Sequence, residues 1–154
     1  MRHTNEARVE DFQPHDTESL VRMWRTSFEH GVGITDPHPL HEQVEYFHSK
    51  IVPVYRVRVV KSAGAIVGFL AANSESVAQL HVRVDNIGQG IGSRLIRLAQ
   101  AESSGSLWLF TFAKNLRARR FYEHHGFVAV AHGFEPEWQL EDVKYQWVKH
   151  ARAA

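Results

Sequence analysis

The sequence predicts one mixed α/β domain that spans residues 1–154. The spacing of the apolar residues predicts this class, because it is helical in some segments and typical of strands in others. In residues 17–51, apolar side chains recur every three or four positions, as they do on one face of a helix. From residue 54 onwards, short runs rich in Val, Ile and Phe are separated by turn residues, and helical periods return between them. A sheet with helices on its faces accounts for both periods.

The first half of the chain predicts a strand, two helices and three further strands. Residues 7–12 (ARVEDF) alternate weakly, which is typical of a first strand. Asp16 or Thr17 is placed to cap a helix that continues to about residue 30. After a loop rich in Gly and Pro, residues 40–51 have the period of a second helix. The three strands are predicted at residues 54–60, 65–72 and 76–84.

The second half predicts helices that alternate with strands. The glycine-rich segment NIGQGIGSRLI, residues 86–96, leads directly into a helix that ends near Ser103. The remaining elements are predicted as a strand at 106–112, a helix at 115–125 and closing strands at 126–134 and 143–149. The resulting order is β-α-α-β-β-β-α-β-α-β-β.

Composition excludes several classes of function. The formal net charge of +1 gives no reason to expect binding to nucleic acid or to a membrane surface. The absence of Cys excludes disulfides, thiolate metal sites and a Cys nucleophile. No apolar run has the length of a membrane span, and the segment MRHTNEARVEDF has no apolar signal core. We therefore expect a cytoplasmic protein.

The eleven histidines raise the question of a metal site. His41, Glu45 and His48 recur at i, i+4 and i+7, a spacing that can ligate a metal. A polar helix face opposite an apolar stripe explains the same three residues, and we expect no metal.

Three glycines, Gly88, Gly90 and Gly92, lie between a predicted strand and a predicted helix. A helix N-terminus offers free N–H groups to an anion, and Gly lets a phosphate approach the backbone closely. Arg94 adds positive charge one turn into the helix. The segment therefore predicts a phosphate-binding loop, although a tight turn alone also requires glycine. The segment fits a dinucleotide-binding loop poorly, because Ser93 stands where that motif has its last glycine. It also fits a nucleoside-triphosphate loop poorly, because no Lys follows the glycines.

The segment LHVRVDNIGQGIG, residues 80–92, resembles the acetyl-coenzyme A loop of the GNAT acetyltransferases, which is Q/R-x-x-G-x-G/A after a strand of the type L-x-V-x-P. Ile87 stands where that family has Gln or Arg, and Val84 stands where Pro is common. The matching positions are Leu80, Val82, Gly88, Gly90 and Gly92.

A second segment supports the resemblance. Residues 115–127 (NLRARRFYEHHGF) fit the family pattern N-x-x-A-x-x-F-Y-x-x-x-G-F without a gap. The resemblance extends from the first predicted strand to the last. It implies a mostly antiparallel sheet flanked by helices, in a single domain.

The resemblance implies acetyl-CoA as co-substrate. Its pyrophosphate would be bound by backbone N–H groups in the glycine loop, and its pantetheine arm by the main chain of the preceding strand, which splays apart from the next one. Asn115 is implied near the cofactor and is also a good helix N-cap. The residues implied in binding are Leu80, Val82, Gly88, Gln89, Gly90, Ile91, Gly92, Ser93, Arg94 and Asn115.

The resemblance also implies catalytic residues. Tyr122 is the implied general acid, because a positioned phenol can protonate the departing thiolate. Packing of Tyr122 in the core is the alternative. The general base stays open. Glu75 lies near the place where some family members carry a glutamate, His81 lies on the strand itself, and a water chain would serve as well. We take Tyr122 and Glu75 as the predicted catalytic pair.

The implied reaction is direct transfer of acetyl from acetyl-CoA to a primary amine. The absence of Cys agrees with a mechanism that has no covalent enzyme intermediate. A non-catalytic acyl-CoA-binding or sensing module is the alternative, and a dinucleotide-dependent oxidoreductase is a more distant one. The acceptor, a small molecule or a peptide or protein amine, is not identified by any motif. A homodimer is expected by analogy with the family.

Overall fold

The computed structural model describes residues 7–150, in which a twisted sheet in two parts carries helices on both faces. The predicted order of elements is confirmed, with ends that differ by a few residues. The elements are β1 (Arg8–Asp11), α1 (Thr17–Val32), α2 (Leu40–Tyr46), β2 (Arg56–Ser62), β3 (Ala65–Ala72), β4 (Val77–Val82), α3 (Ile91–Glu102), β5 (Ser106–Phe112), α4 (Leu116–His124), β6 (Val128–Glu135) and β7 (Leu140–Val148).

Short turns of other helical types lie between these elements. Pro14–Asp16 and Val84–Asn86 form 3₁₀ turns, and a π-helical turn, Phe47–Ile51, continues α2. The second predicted helix, at residues 40–51, is therefore one α-helical and one π-helical segment. Among residues 7–150, no helix is both long enough and apolar enough to cross a membrane.

The two parts of the sheet meet at a single point. Strands β1-β2-β3-β4 form one antiparallel part, and β5-β7-β6 form the other. One parallel bridge, between Ser76 and Trp108, joins β4 to β5, and the Trp108 N–H donates to the Glu75 carbonyl at 3.1 Å. The sheet is therefore mixed and mostly antiparallel, as predicted.

Helices cover both faces of β3, so nearly every residue of this central strand is buried. Val67 and Leu70 belong to a core that includes residues of α3 and α4. Phe69 and Ala71 belong to a second core with residues of α1 and the π-helical turn. The site described below lies at the edge of this doubly covered sheet, where β4 and β5 separate.

Asp16 occupies the N-cap position of α1, but its side chain does not cap the helix. Its carboxylate accepts a hydrogen bond from the Gln13 N–H at 3.0 Å and pairs with Lys61 Nζ at 2.9 Å. Although burial opposes ionisation, Lys61 and the Gln13 N–H hold the pKa of Asp16 below its ordinary value. The predicted capping hydrogen bond is therefore wrong, because a cation from β2 takes the carboxylate instead.

Candidate active site

A cavity of about 850 Å³ opens where β4 and β5 separate. Val77–Val82 line it on one side and the end of β5, residues 109–112, lines it on the other. Both stretches begin directly after the bridge between Ser76 and Trp108. The glycine loop and residues of α1, α2 and α4 complete the wall.

Strand β4 presents main-chain groups to this gap. The Arg83 N–H donates to the Val67 carbonyl at 2.8 Å, and hydrogen-bonded pairs alternate along an antiparallel ladder. His81 therefore bonds to β3, whereas the N–H and C=O groups of Leu80 and Val82 are directed away from β3, toward β5. An extended ligand can add to such an edge as a short strand.

The glycine loop leads from β4 to α3 in a conformation that requires glycine. Gly88 and Gly90 have φ values of 88° and 83°, in the left-handed region that side chains disfavour. Gly90 is the N-cap of α3 and has no side chain to accept a hydrogen bond. The first backbone bond of the helix runs from the Arg94 N–H to the Gly90 carbonyl at 3.1 Å. The N–H groups of residues 91–93 donate to no acceptor within residues 7–150, and they form a cradle that fits a phosphate.

Gly92 has a different role from the other two glycines. A Cβ atom at this position would lie 3.1 Å from the ring of Phe121. The third glycine therefore lets the first turn of α3 pack closely against α4. This packing brings the second motif of the sequence beside the first.

The structure brings most of the predicted loop residues to the cavity, but not the side chains of Gln89 and Arg94. Gln89 Oε1 accepts a hydrogen bond from Asn86 Nδ2 at 3.1 Å. Arg94 Nη1 donates to the Ala7 carbonyl at 2.6 Å, and Arg94 lines a shallow depression beside β1 and β2 instead. The guanidinium of Arg94 therefore lies beside β1, and its contact with a phosphate stays a prediction.

Tyr122 lines the cavity and is only 7% exposed. Its ring packs against Phe121 and Phe127, with centroid distances of 5.2 and 5.6 Å. Its hydroxyl has no hydrogen-bond partner within the described part of the chain. Burial raises the pKa of Tyr122, so the phenol stays protonated at neutral pH.

Asn115 caps α4 as predicted. Its Oδ1 accepts a hydrogen bond from the Ala118 N–H at 3.2 Å, and the residue also lines the cavity. A Cβ atom at Gly31 of α1 would lie 2.6 Å from Asn115 Nδ2. Gly31 therefore lets α1 approach the start of α4 and close that side of the cavity.

Glu75 is not brought into the cavity. It is exposed in the turn between β3 and β4, where its N–H donates to Asn73 Oδ1 at 3.0 Å. This turn lies at the closed end of the gap, beside the bridge to Trp108. The position matches the sequence pattern, but the strands are still paired there, and the exposed carboxylate does not border the cavity.

His81 does line the cavity, but both ring nitrogens are engaged. Nδ1 lies 3.2 Å from Ser27 Oγ, and Nε2 lies 2.9 Å from Gln79 Oε1. The ring stacks on Phe69 at 5.6 Å. Burial lowers the pKa of His81 to about 3, which keeps the imidazole neutral at physiological pH.

Sequence reasoning missed a group of polar cavity residues that come from loops and element ends. His38 Nδ1 lies 2.8 Å from Asp36 Oδ1, in the loop between α1 and α2. Trp138, in the turn between β6 and β7, packs on His38 at 5.0 Å. The carboxylates in the lining are Asp36, Glu42, Glu135, Glu137 and Asp142. No local pattern in the sequence signals that these separate segments meet.

The possible metal ligands on the second helix do not come together. Among residues 7–150, no three His, Asp or Glu side chains are grouped so that they would hold a metal ion. His41, Glu45 and His48 are all exposed.

Comparison with known proteins identifies one family. The model of the acetyltransferase (GNAT) domain matches residues 53–129, half of the chain, which includes the glycine loop, Asn115 and Tyr122. No curated protein is significantly similar to this sequence.

Solved structures share the whole fold at low sequence identity. Apo YjaB from Escherichia coli has a TM-score of 0.77 at 18% identity, over 94% of this chain and 99% of that one. PaiA N-acetyltransferase from Thermoplasma acidophilum, solved with coenzyme A, has a TM-score of 0.73 at 13% identity, over 93% and 99%. YncA from Salmonella typhimurium, a putative acetyltransferase solved with acetyl-CoA, has a TM-score of 0.68 at 16% identity, over 97% of both chains.

Proposed function

Because this chain belongs to the GNAT acetyltransferase family, we propose that it transfers an acetyl group from acetyl-CoA directly to a primary amine. The observation that carries the proposal is the gap between β4 and β5. One wall of this gap offers unpaired main-chain groups, and the glycine loop at its end offers free N–H groups. An elongated ligand with a phosphate at one end and an amide-containing arm fits this combination.

The geometry of the gap supports a proposal for the residues that bind acetyl-CoA. The main chain of Leu80 and Val82 binds the amide-containing arm. The backbone of residues 88–93 binds the pyrophosphate, with Ser93 contributing its hydroxyl. Asn115 borders the same space from the start of α4. Ile87, in place of a polar residue, removes one side-chain contact and leaves the backbone contacts in place.

Acetyl-CoA supplies a thioester, whose carbonyl carbon is open to attack by an amine. Tyr122 donates a proton to the sulfur as the carbon–sulfur bond breaks. A thiol has a pKa of about 8.5, and a buried phenol that stays protonated is available as the donor throughout the neutral range. The absence of Cys is consistent with this single-step transfer.

Calorimetric titration with acetyl-CoA tests the proposal, with NAD as the control ligand. We expect acetyl-CoA to bind and NAD not to bind. Gly90→Val should weaken acetyl-CoA binding at least tenfold, because φ of 83° is strained for Val and its side chain projects from the cradle. Equal affinity in a folded Gly90→Val variant would remove the loop from the binding site.

Release of free thiol then tests catalysis, and the protein itself contributes no thiol. We expect thiol release that depends on an added amine. Glu75 lies outside the cavity and Ile87 replaces a polar residue, and both facts favour the second candidate, a non-catalytic acyl-CoA-binding or sensing module. Binding of acetyl-CoA without turnover on any of a broad panel of amines would establish that candidate.

We also propose that the chain forms a homodimer through the outer face of β5-β7-β6. Four large apolar side chains are exposed on this face, and the strand register places them on the same side. They are Trp108, Phe110, Val128 and Val148. Apolar surface grouped in this way is typical of an interface.

A cytoplasmic location stays a prediction from the sequence.

A further inference from the structure

We infer that His38, oriented by Asp36, is the general base that deprotonates the acceptor amine. This inference rests on the proposed function. It assigns the role of general base, for which Glu75 is not placed in the cavity. Both residues lie in the loop between α1 and α2, and both line the cavity.

A single carboxylate oxygen fixes the imidazole of His38. Asp36 Oδ1 accepts a hydrogen bond from the His38 backbone N–H at 2.8 Å and lies 2.8 Å from His38 Nδ1. Asp36 is only 7% exposed, so this contact is shielded from water. A carboxylate at Nδ1 makes this nitrogen the protonated one and leaves the lone pair on Nε2.

Asp36 is itself held to α1, although it lies in a loop. Its backbone N–H donates to Glu29 Oε2 at 2.7 Å, and its carbonyl accepts from Arg25 Nη2 at 2.7 Å. Arg25 Nη1 is buried and has no partner within residues 7–150. These contacts hold the backbone of Asp36 against α1, and the Asp36 carboxylate then contacts the backbone and the ring of His38.

The other side of the imidazole faces the turn between β6 and β7. The ring of Trp138 packs edge-on against His38 with centroids 5.0 Å apart. Glu137 Oε1 lies 3.4 Å from His38 Nε2, and Glu137 is largely exposed. The charged groups around the ring are therefore Asp36 and Glu137 directly, with Glu29 and Arg25 behind Asp36. A carboxylate beside Nε2 attracts an ammonium group to the nitrogen that must take its proton.

In the proposed transfer, His38 accepts one proton and later releases it. His38 Nε2 takes one proton from the acceptor ammonium and frees the lone pair of the amine. The amine nitrogen then forms a bond to the thioester carbonyl carbon, and the bond from that carbon to sulfur breaks. Tyr122 protonates the sulfur, and the second proton of the nitrogen restores the phenol. His38 returns its proton to solvent, so the products are an amide, a free thiol and one proton.

The other candidates near the cavity are less suited to this role. Glu75 lies outside the cavity, at the closed end of the gap. His81 has both nitrogens engaged, and its pKa of about 3 keeps it from accepting a proton at neutral pH. Among these three residues, His38 is the one that lines the cavity with a ring nitrogen, Nε2, that makes no hydrogen bond within residues 7–150.

The kinetic test compares His38→Gln with His41→Gln, a nearby exposed histidine that does not line the cavity. At pH 7 and saturating amine, we expect kcat of His38→Gln to fall by about 10²- to 10⁴-fold and the affinity for acetyl-CoA to stay within twofold. The kcat of the wild type should reach a plateau as the pH rises, as is general for a reaction that uses a general base. The kcat of His38→Gln should keep rising with pH, because the bound amine must then lose its proton to water or hydroxide.

A second test needs neither acetyl-CoA nor an acceptor. Nitrogen-15 chemical shifts report which imidazole nitrogen carries the proton in the neutral ring. We expect the Nδ1–H tautomer for His38 in the wild type, and a loss of this preference in Asp36→Asn, which keeps the shape of the side chain and removes its charge.

The possible outcomes separate the two proposals. A wild type that acetylates amines, with His38→Gln as active as His41→Gln, would overturn the role of His38 alone. A wild type that acetylates no amine would overturn the proposed function and the base role with it. An Nε2–H tautomer in the wild type would contradict the base assignment whatever the activity.

Discussion

At the scale of single residues, similar side chains have opposite roles because their partners differ. His38 and His81 both line the cavity. His38 lies between two carboxylates, whereas His81 lies against Phe69, Trp24 and neutral polar groups. The environment of His81 opposes uptake of a proton.

The environment of His81 predicts a loss of stability in mild acid. Its pKa is lowered in the folded state, so the unfolded chain binds the proton first as the pH falls below about 6.5. The stabilising contribution is complete at higher pH and is lost as the pH falls toward 3. Between pH 7 and 5, we expect His81 to lower the free energy of unfolding by about 2 kcal/mol.

Urea unfolding of the wild type and His81→Gln at both pH values checks this prediction. The neutral amide keeps a polar group beside Ser27, so the variant should lose less stability between pH 7 and 5 than the wild type. Parallel losses in the two proteins would show that other groups cause the acid sensitivity.

Tyr122 carries the second prediction at this scale. Tyr122→Phe removes one hydroxyl that has no hydrogen-bond partner within residues 7–150, so the free energy of unfolding should change little. We expect kcat to fall by about 10²-fold or more, because the departing sulfur loses its proton donor. Acetyl-CoA affinity measured by calorimetry should remain near the wild-type value. Wild-type turnover in the variant would assign Tyr122 to packing.

At the scale of elements, close backbone packing positions the glycine loop. Gly68 of β3 lies beneath the start of α3, where a Cβ atom would meet Ile91 Cγ2 at 2.9 Å and the His81 carbonyl at 3.3 Å. Ile91 is the first residue of α3 and is buried. The position of the phosphate cradle therefore depends on the small size of a residue in a neighbouring strand.

Gly68→Ala should push α3 away from the sheet. We expect it to lower the free energy of unfolding by about 1–3 kcal/mol and to weaken acetyl-CoA binding, because overpacking moves the helix start. A double-mutant cycle with Ile91→Ala isolates the cause, since that change removes Cγ2. In the Ile91→Ala background, Gly68→Ala should lower the free energy of unfolding by less than it does in the wild type. An equal cost in both backgrounds would place the strain elsewhere, at the His81 carbonyl.

The boundaries of the elements were largely predictable from the sequence, because hydrophobic period and turn residues are local signals. The capping of α4 by Asn115 was predictable for the same reason. The ion pair between Asp16 and Lys61 was not predictable, because Lys61 lies on a strand far along the chain. The direction of the Arg94 side chain was also not predictable, since the sequence gives only its spacing from the glycines.

At the scale of the whole molecule, sequence reasoning could not predict which polar loops meet at the cavity. Asp36 and His38 come from one loop, and Glu137 and Trp138 come from a turn about 100 residues later. Each segment alone is a polar loop. They meet at the cavity that opens beyond the bridge between Ser76 and Trp108.

The exposed apolar face of β5-β7-β6 predicts self-association. Val128→Lys should shift the chain from dimer to monomer in sedimentation velocity, because Val128 is 64% exposed and lies on that face. Val54→Lys is the matched control, since Val54 is 57% exposed and follows α2, away from the sheet face. A monomeric wild type, or a dimer that Val128→Lys does not disturb, would contradict this interface.

The separation of β4 from β5 leaves a gap of one strand in the sheet, and the proposed binding mode places the ligand in it. The amide protons of Leu80 and Val82 are not used within the sheet, so they should exchange readily with solvent while the gap is empty. When acetyl-CoA is added, we expect the exchange of these protons to slow, because the proposed binding mode gives them acceptors. Amide hydrogen exchange at Leu80 and Val82 would therefore report ligand binding in the gap, and the measurement does not require a known acceptor.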